Sequence, residues 1–234
     1  MPGGTLQTPS PTPASPPLPL ASMRVPPAIA RTQLASAALL ALVVAMILGG
    51  CSSSSSTSSP TPSLASAGAS GFDGAALPPG APARDFTLTD QAGRAVSLGQ
   101  YHGQVTIVAF LYSTCGPTCT VIAQQVRGAL DELAQPPPVL FISADPQADP
   151  RASIRRFLAR VSLTGRVHYL SGSLAQLRAV WRSFRIIPAN AGRAAFDRSA
   201  SVFLLDGTGR QRVVYQLEQL TPEALAHDVR KLEG

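Results

Sequence analysis

The chain has 234 residues, 19 of them Lys or Arg against 13 Asp or Glu, for a net charge of +6. The cations are spread without a basic block, which offers no footprint for nucleic acid. Up to about Pro82 the chain is almost all Ala, Ser, Pro, Gly and Thr, whereas aromatic, β-branched and charged residues appear from Asp85 onward. One folded domain of roughly 150 residues is therefore expected.

In chain order the first feature is an apolar run from Leu34 to Leu48, preceded by Arg24 and Arg31 and followed by Gly49, Gly50 and Cys51. That order is a secretory signal, and the run falls short of the ~20 residues that a spanning helix prefers. Leu48-Gly49-Gly50-Cys51 resembles the lipobox of bacterial lipoproteins, in which the Cys is acylated and becomes the mature N-terminus. Residues 1–50 are thus read as a signal peptide, with Met23 an alternative start, and Cys51 as a lipidated anchor. Residues 51–82 read as a Ser/Pro/Ala/Gly-rich tether with too little apolar surface to fold. The domain at 83–234 is expected outside the cytoplasm, held to a bacterial cell membrane by lipid.

The domain opens with apolar Phe86, Leu88, Val96 and Leu98 flanking the turn Asp90-Gln91-Ala92-Gly93-Arg94, an N-terminal β-hairpin. Val105 to Tyr112 is a nearly unbroken apolar and β-branched run, as expected of a central strand buried on both faces. Ser113-Thr114-Cys115-Gly116-Pro117-Thr118-Cys119 follows, and then Val121, Ile122, Val126, Leu130 and Leu133 at helical spacing. A second buried strand at Val139 to Ser143 leads through a Pro-marked loop to a helix carrying Ile154, Phe157, Leu158 and Val161. Next come a short strand near Val167 to Leu170 and a helix through Leu174, Leu177, Val180, Trp181 and Phe184. A strand at Ala200 to Leu205, the turn Asp206-Gly207-Thr208-Gly209, a strand at Gln211 to Tyr215 and a helix capped by Thr221 close the chain. The order predicts an α/β fold with a mixed central sheet flanked by helices.

With Cys51 set aside, the domain holds only Cys115 and Cys119. If the helix begins at the first of them, both thiols share its first turn with Cβ atoms roughly 5 to 6 Å apart, near disulfide range. A helix N-terminus favours thiolate, the form needed both for disulfide exchange and for metal ligation. An inert staple is the plain alternative for an exported protein. So short a loop would constrain the unfolded chain little, which favours a working pair.

The runs Phe86 to Leu98, Gly103 to Cys119, Phe141 to Pro146 and Ser199 to Arg210, with C-x-x-x-C after a strand ending in an aromatic, resemble the SCO/SenC family. The resemblance implies a thioredoxin-like, membrane-tethered protein. It implies copper bound through two cysteines and one histidine, and a role in loading the copper centre of cytochrome c oxidase or reducing its cysteines. Carried over, Cys115 and Cys119 are the sulfur ligands and the catalytic pair, and Asp145 of Asp145-Pro146 lines the site. The histidine position falls on Arg198, whose guanidinium has no lone pair for a metal and would pair with thiolates instead. His102, His168 and His227 lie at none of the expected positions. Copper is therefore a cargo in question, though Cu(I) can be held by two thiolates alone. Three readings follow. One is copper delivery to, or thiol maintenance of, a cytochrome c oxidase copper-centre subunit. The others are a general exported thiol-disulfide oxidoreductase acting on another exported thiol protein, and a redox or copper sensor docking to a membrane partner.

Overall fold

The computed structural model describes residues 70–78 and 83–234. The signal peptide, Cys51 and most of the tether lie outside the described residues. Eight strands and five helices follow in order: β1 (Ala75–Ala76), β2 (Thr87–Thr89), β3 (Ala95–Ser97), β4 (Thr106–Leu111), α1 (Pro117–Glu132), β5 (Val139–Ser143), α2 (Arg151–Arg160), β6 (His168–Leu170), α3 (Leu174–Phe184), α4 (Arg193–Ser199), β7 (Ser201–Leu205), β8 (Gln211–Gln216) and α5 (Pro222–Glu233). No helix among the described residues is long and apolar enough to cross a membrane.

The main sheet has the order β1-β8-β7-β4-β5-β6, with β4, β5 and β6 parallel and the remaining neighbours antiparallel. β2 and β3 form the expected hairpin, its turn closed by Asp90, whose carboxylate accepts from the backbone N–H of Ala92 and Arg94 at 2.9 Å each. The all-apolar β4 is buried along its length. Its alternate side chains feed two cores: Ile107, Ala109 and Leu111 pack with α1, α2 and α5, whereas Val108 and Phe110 pack with the hairpin and α3. This two-sided burial is what an unbroken apolar strand requires. Trp181 is core, its indole N–H donating to the Ser143 carbonyl at 2.9 Å.

Two elements depart from expectation. The tether was expected to run to Pro82, yet residues 70–78 join the domain. β1 pairs with β8, Phe72 packs against the larger core, and the backbone N–H groups of Asp73 and Gly74 donate to the buried Asp228 carboxylate at 2.9 and 3.0 Å. Gly74 is required there, because a Cβ would lie 2.7 Å from the Tyr215 ring. The other is α4, a seven-residue helix with one buried apolar residue, Phe196, too short and too polar to announce itself by periodicity.

Candidate functional site

The site is built where β4 ends. Tyr112 and Ser113 leave the strand buried, and the Cys115 N–H donates back to the Tyr112 carbonyl at 3.1 Å. Gly116 then turns the chain at φ 83° and ψ −138°, a region essentially reserved for glycine. Its carbonyl accepts from Thr120, both from N–H at 3.2 Å and from the hydroxyl at 2.9 Å, and Pro117 opens α1. The helix therefore starts two residues later than its first cysteine. Cys115 lies just ahead of the helix and Cys119 in its first turn.

The two residues are joined in a disulfide with Cα atoms 5.8 Å apart. Both are fully buried, in the core beneath the start of α1. No acidic residue stands in that first turn, so the partial positive charge of the helix end is left to the cysteines.

Beneath the loop lies Asp149, a carboxyl only 5% exposed. It accepts from the Ser113 N–H at 2.6 Å, the Ser143 hydroxyl at 2.6 Å and the Tyr169 hydroxyl at 2.8 Å, tying the loop after β4 to β5 and β6. Burial pushes the Asp149 carboxyl above its ordinary range, and these donors pull the other way. Tyr169 is held well above its usual value by burial first and the Asp149 charge second.

On the other side stands the segment from Ile187 to Ser199. The Ser199 hydroxyl accepts from the Ile187 N–H at 3.0 Å, and the Ala189 N–H donates to the Ala144 carbonyl at 3.1 Å, which closes the segment on itself and seats it at the end of β5. From α4, Phe196 meets Tyr112 edge-on at 5.2 Å between ring centroids. At the start of the same helix Arg193 Nη2 donates to the Cys115 carbonyl at 2.6 Å, and its Nε lies 3.8 Å from Asp197. Burial raises the Tyr112 hydroxyl, opposed chiefly by the Arg193 charge.

Cys115 and Cys119 are thus brought together as expected. Asp145 starts the loop after β5, its carboxylate accepting from the N–H of Gln147 and Ala148 at 3.1 and 3.2 Å, and reaches the site through its charge on Tyr112 and Tyr169. Arg198 is exposed on the last turn of α4 and its side chain makes no hydrogen bond or ion pair among the described residues, so the arginine expected beside the sulfurs is not the one in contact. That contact belongs to Arg193, which no spacing rule singled out because α4 itself was not foreseen. Asp149 was equally hidden, an ordinary loop Asp before a proline in sequence. His102 and His168 lie toward the ends of β4 and β5 remote from the cysteines, and His227 is on α5 beside Asp73 and Asp228. The sulfur pair therefore has no imidazole partner in this arrangement.

The SCO1/SenC family model matches residues 75–233. The chain belongs to the SCO1/SenC family. The match begins at β1, in agreement with the N-terminal segment being part of the domain. Among relatives, "Protein SCO2 homolog, mitochondrial" of Bos taurus is 28% identical over 157 residues, covering 61% of this chain and 58% of that protein. The Homo sapiens protein of the same name is 29% identical over 136 residues, covering 53% of this chain and 50% of that one. The chain thus spans about half the length of the curated relatives it matches. Among solved structures, Bradyrhizobium japonicum ScoI with copper bound has a TM-score of 0.50 at 27% identity, covering 64% of this chain and 99% of that one. Apo Sco1 of Thermus thermophilus gives 0.57 at 23%, covering 69% and 96%. The thioredoxin domain of a thiol-disulfide oxidoreductase from Bacteroides vulgatus gives 0.52 at 16%, covering 68% and 99%, and these likenesses show a thioredoxin-like fold.

Proposed function

We propose that this SCO/SenC protein is exported, anchored by lipid at Cys51, and uses Cys115 and Cys119 on a copper-centre subunit of cytochrome c oxidase. It would either deliver Cu(I) to that subunit or keep its thiols reduced. The observation that carries the reading is the closed Cys115–Cys119 pair at the junction of β4 and α1, 5.8 Å apart at Cα, at a helix end with no acidic residue to compete for its charge. Two soft thiolates suit Cu(I), which they can hold without help from a histidine. Arg198 stands where the family carries its histidine, which makes two sulfurs the whole donor set.

The same pair supports thiol exchange. In the reduced protein the Cys115 thiolate attacks one sulfur of a partner disulfide and displaces the other as a thiolate. Cys119 then attacks the Cys115 sulfur of the mixed disulfide and displaces the partner's second thiolate, so the partner leaves as a dithiol, and the two electrons it gained are those that Cys115 and Cys119 lose on forming their disulfide. A general exported oxidoreductase is the second reading, favoured by a cationic rather than imidazole surrounding for the sulfurs.

The test is an anaerobic titration of the reduced domain, from Ser70 onward, with Cu(I) against a competing chelator. One equivalent bound, and lost in the Cys115→Ser/Cys119→Ser variant, supports copper delivery. No binding together with ready reduction of the disulfide supports the oxidoreductase.

A further inference from the structure

The cation that touches the cysteine loop is Arg193, and four observations converge on it. Its Nη2 donates to the Cys115 carbonyl at 2.6 Å. The guanidinium fills the space over Gly116, where a Cβ would lie 2.7 Å from Nη2. It is the chief charge opposing the burial effect on Tyr112, which lies between β4 and Cys115. Its own carboxylate neighbour, Asp197, is 3.8 Å from Nε, and the Oδ1 of that residue finds no hydrogen-bond partner among the described residues. The bond lengths linking a cysteine's carbonyl to its own sulfur place the guanidinium within roughly 7 Å of the Cys115 Sγ.

Every working state of the pair carries negative charge that the disulfide lacks. An attacking thiolate is −1, and a Cu(I) ion between two thiolates is −1 overall. A fixed guanidinium at that distance stabilises those states relative to the neutral disulfide, by an amount screened because the Arg193 side chain is about half exposed and partly offset by Asp197.

We propose that Arg193 is a positioning residue of the cysteine pair, its guanidinium holding the Cys115 carbonyl in place and supplying the counter-charge for the pair's anionic states. The proposal rests on the reading of Cys115 and Cys119 as the working site.

The experiment equilibrates the detergent-solubilised full chain, carrying Cys51→Ser, with reduced and oxidised glutathione, followed by thiol alkylation and mass measurement. The Cys115–Cys119 bond breaks and both sulfurs are reduced, while two glutathione thiols give up two electrons and two protons and join as one disulfide. Arg193→Met is expected to shift the equilibrium constant toward the protein disulfide by about three- to tenfold, with Arg193→Lys recovering part of the shift. Arg198→Met, on the same helix but without the contact, is expected to stay within about twofold of the parent. Asp197→Asn removes the opposing carboxylate without changing side-chain shape, and is expected to move the constant the other way. That variant keeps the question open to measurement if Arg193→Met proves too unstable to handle. Equal constants for the parent, Arg193→Met and Asp197→Asn overturn the proposal while leaving the functional reading intact, as does an Arg198→Met shift equal to that of Arg193→Met. A parent pair inert to both glutathione and dithiothreitol overturns both.

Discussion

Replacing Asp149 tests whether a buried carboxyl holds the cysteine loop against the sheet. Three donors converge on it, the Ser113 N–H, the Ser143 hydroxyl and the Tyr169 hydroxyl, and Asp149→Ala leaves them facing a void. Orphaned buried donors cost about 1–3 kcal/mol each. Tyr169 has a second acceptor in the Leu111 carbonyl at 3.4 Å, and loss of a desolvated charge offsets part of the penalty. A net loss of about 3–5 kcal/mol is expected, a large fraction of the stability of an ordinary domain. Asp149→Asn behaves differently, since its amide oxygen can accept from Ser113 while its NH2 donates to the two hydroxyl oxygens, each of which can rotate to accept. A loss of about 1 kcal/mol is expected at neutral pH.

The two variants also separate charge from hydrogen bonding. Because burial raises the folded-state value of Asp149 above 3.8, the unfolded chain ionises first as pH rises. The contribution of this group to stability is therefore fully present below the unfolded value and is lost as pH climbs through the folded one. Asp149→Asn, which cannot ionise, gains on the parent across that window. Urea unfolding of parent and variants at several pH values from acid to neutral measures both effects. An Asp149→Ala loss under about 1 kcal/mol, or a parent-minus-Asn difference that does not change with pH, refutes the account.

Other perturbations read other parts of the site. Gly116→Ala places a Cβ at a positive φ and against Arg193, and is expected to cost about 2–3 kcal/mol and to displace the arginine, measured by thermal melting and by a shift of the glutathione equilibrium toward the disulfide, as for Arg193→Met. Asp228→Ala removes the acceptor shared by the N–H groups of Asp73 and Gly74 and the Tyr215 hydroxyl. Release of residues 70–78 should follow, read as new protease cleavage there with α1 and the cysteine pair unchanged. Arg198→His is expected to raise Cu(I) affinity if that position swings to the sulfurs when metal binds. An unchanged affinity would mean that Arg198 does not occupy the family's histidine position or does not reach the sulfurs.

Much of the fold follows from patterns a chain cannot hide. The unbroken run Val105 to Tyr112 could only be a strand covered on both faces, and β4 is that strand. The cysteine spacing put the two thiols near bridging distance on the expectation of a helix beginning at Cys115; the helix begins at Pro117 instead, and the turn at Gly116 ahead of it brings the pair to 5.8 Å at Cα. Thr221 before Pro222 marked the last helix to the residue, its hydroxyl accepting from the Ala224 N–H at 3.2 Å. Such features are local, and local chemistry is written in consecutive residues.

What surrounds the sulfurs is a matter of tertiary structure. Arg193 reaches Cys115 across 78 positions of sequence, on a helix too short and polar to carry a periodic signal. Asp149 gathers donors from Ser113, Ser143 and Tyr169, three elements whose proximity exists only once β4, β5 and β6 have paired. Residues 70–78 join the sheet where β1 meets β8, and Asp228, more than 150 positions away, offers a buried carboxylate to their N–H groups. A charge or a hydrogen-bond acceptor acquires its partner only when the chain has closed. Residue types along the sequence thus named the reactive pair, while packing alone chose the arginine and the carboxylate that face its loop.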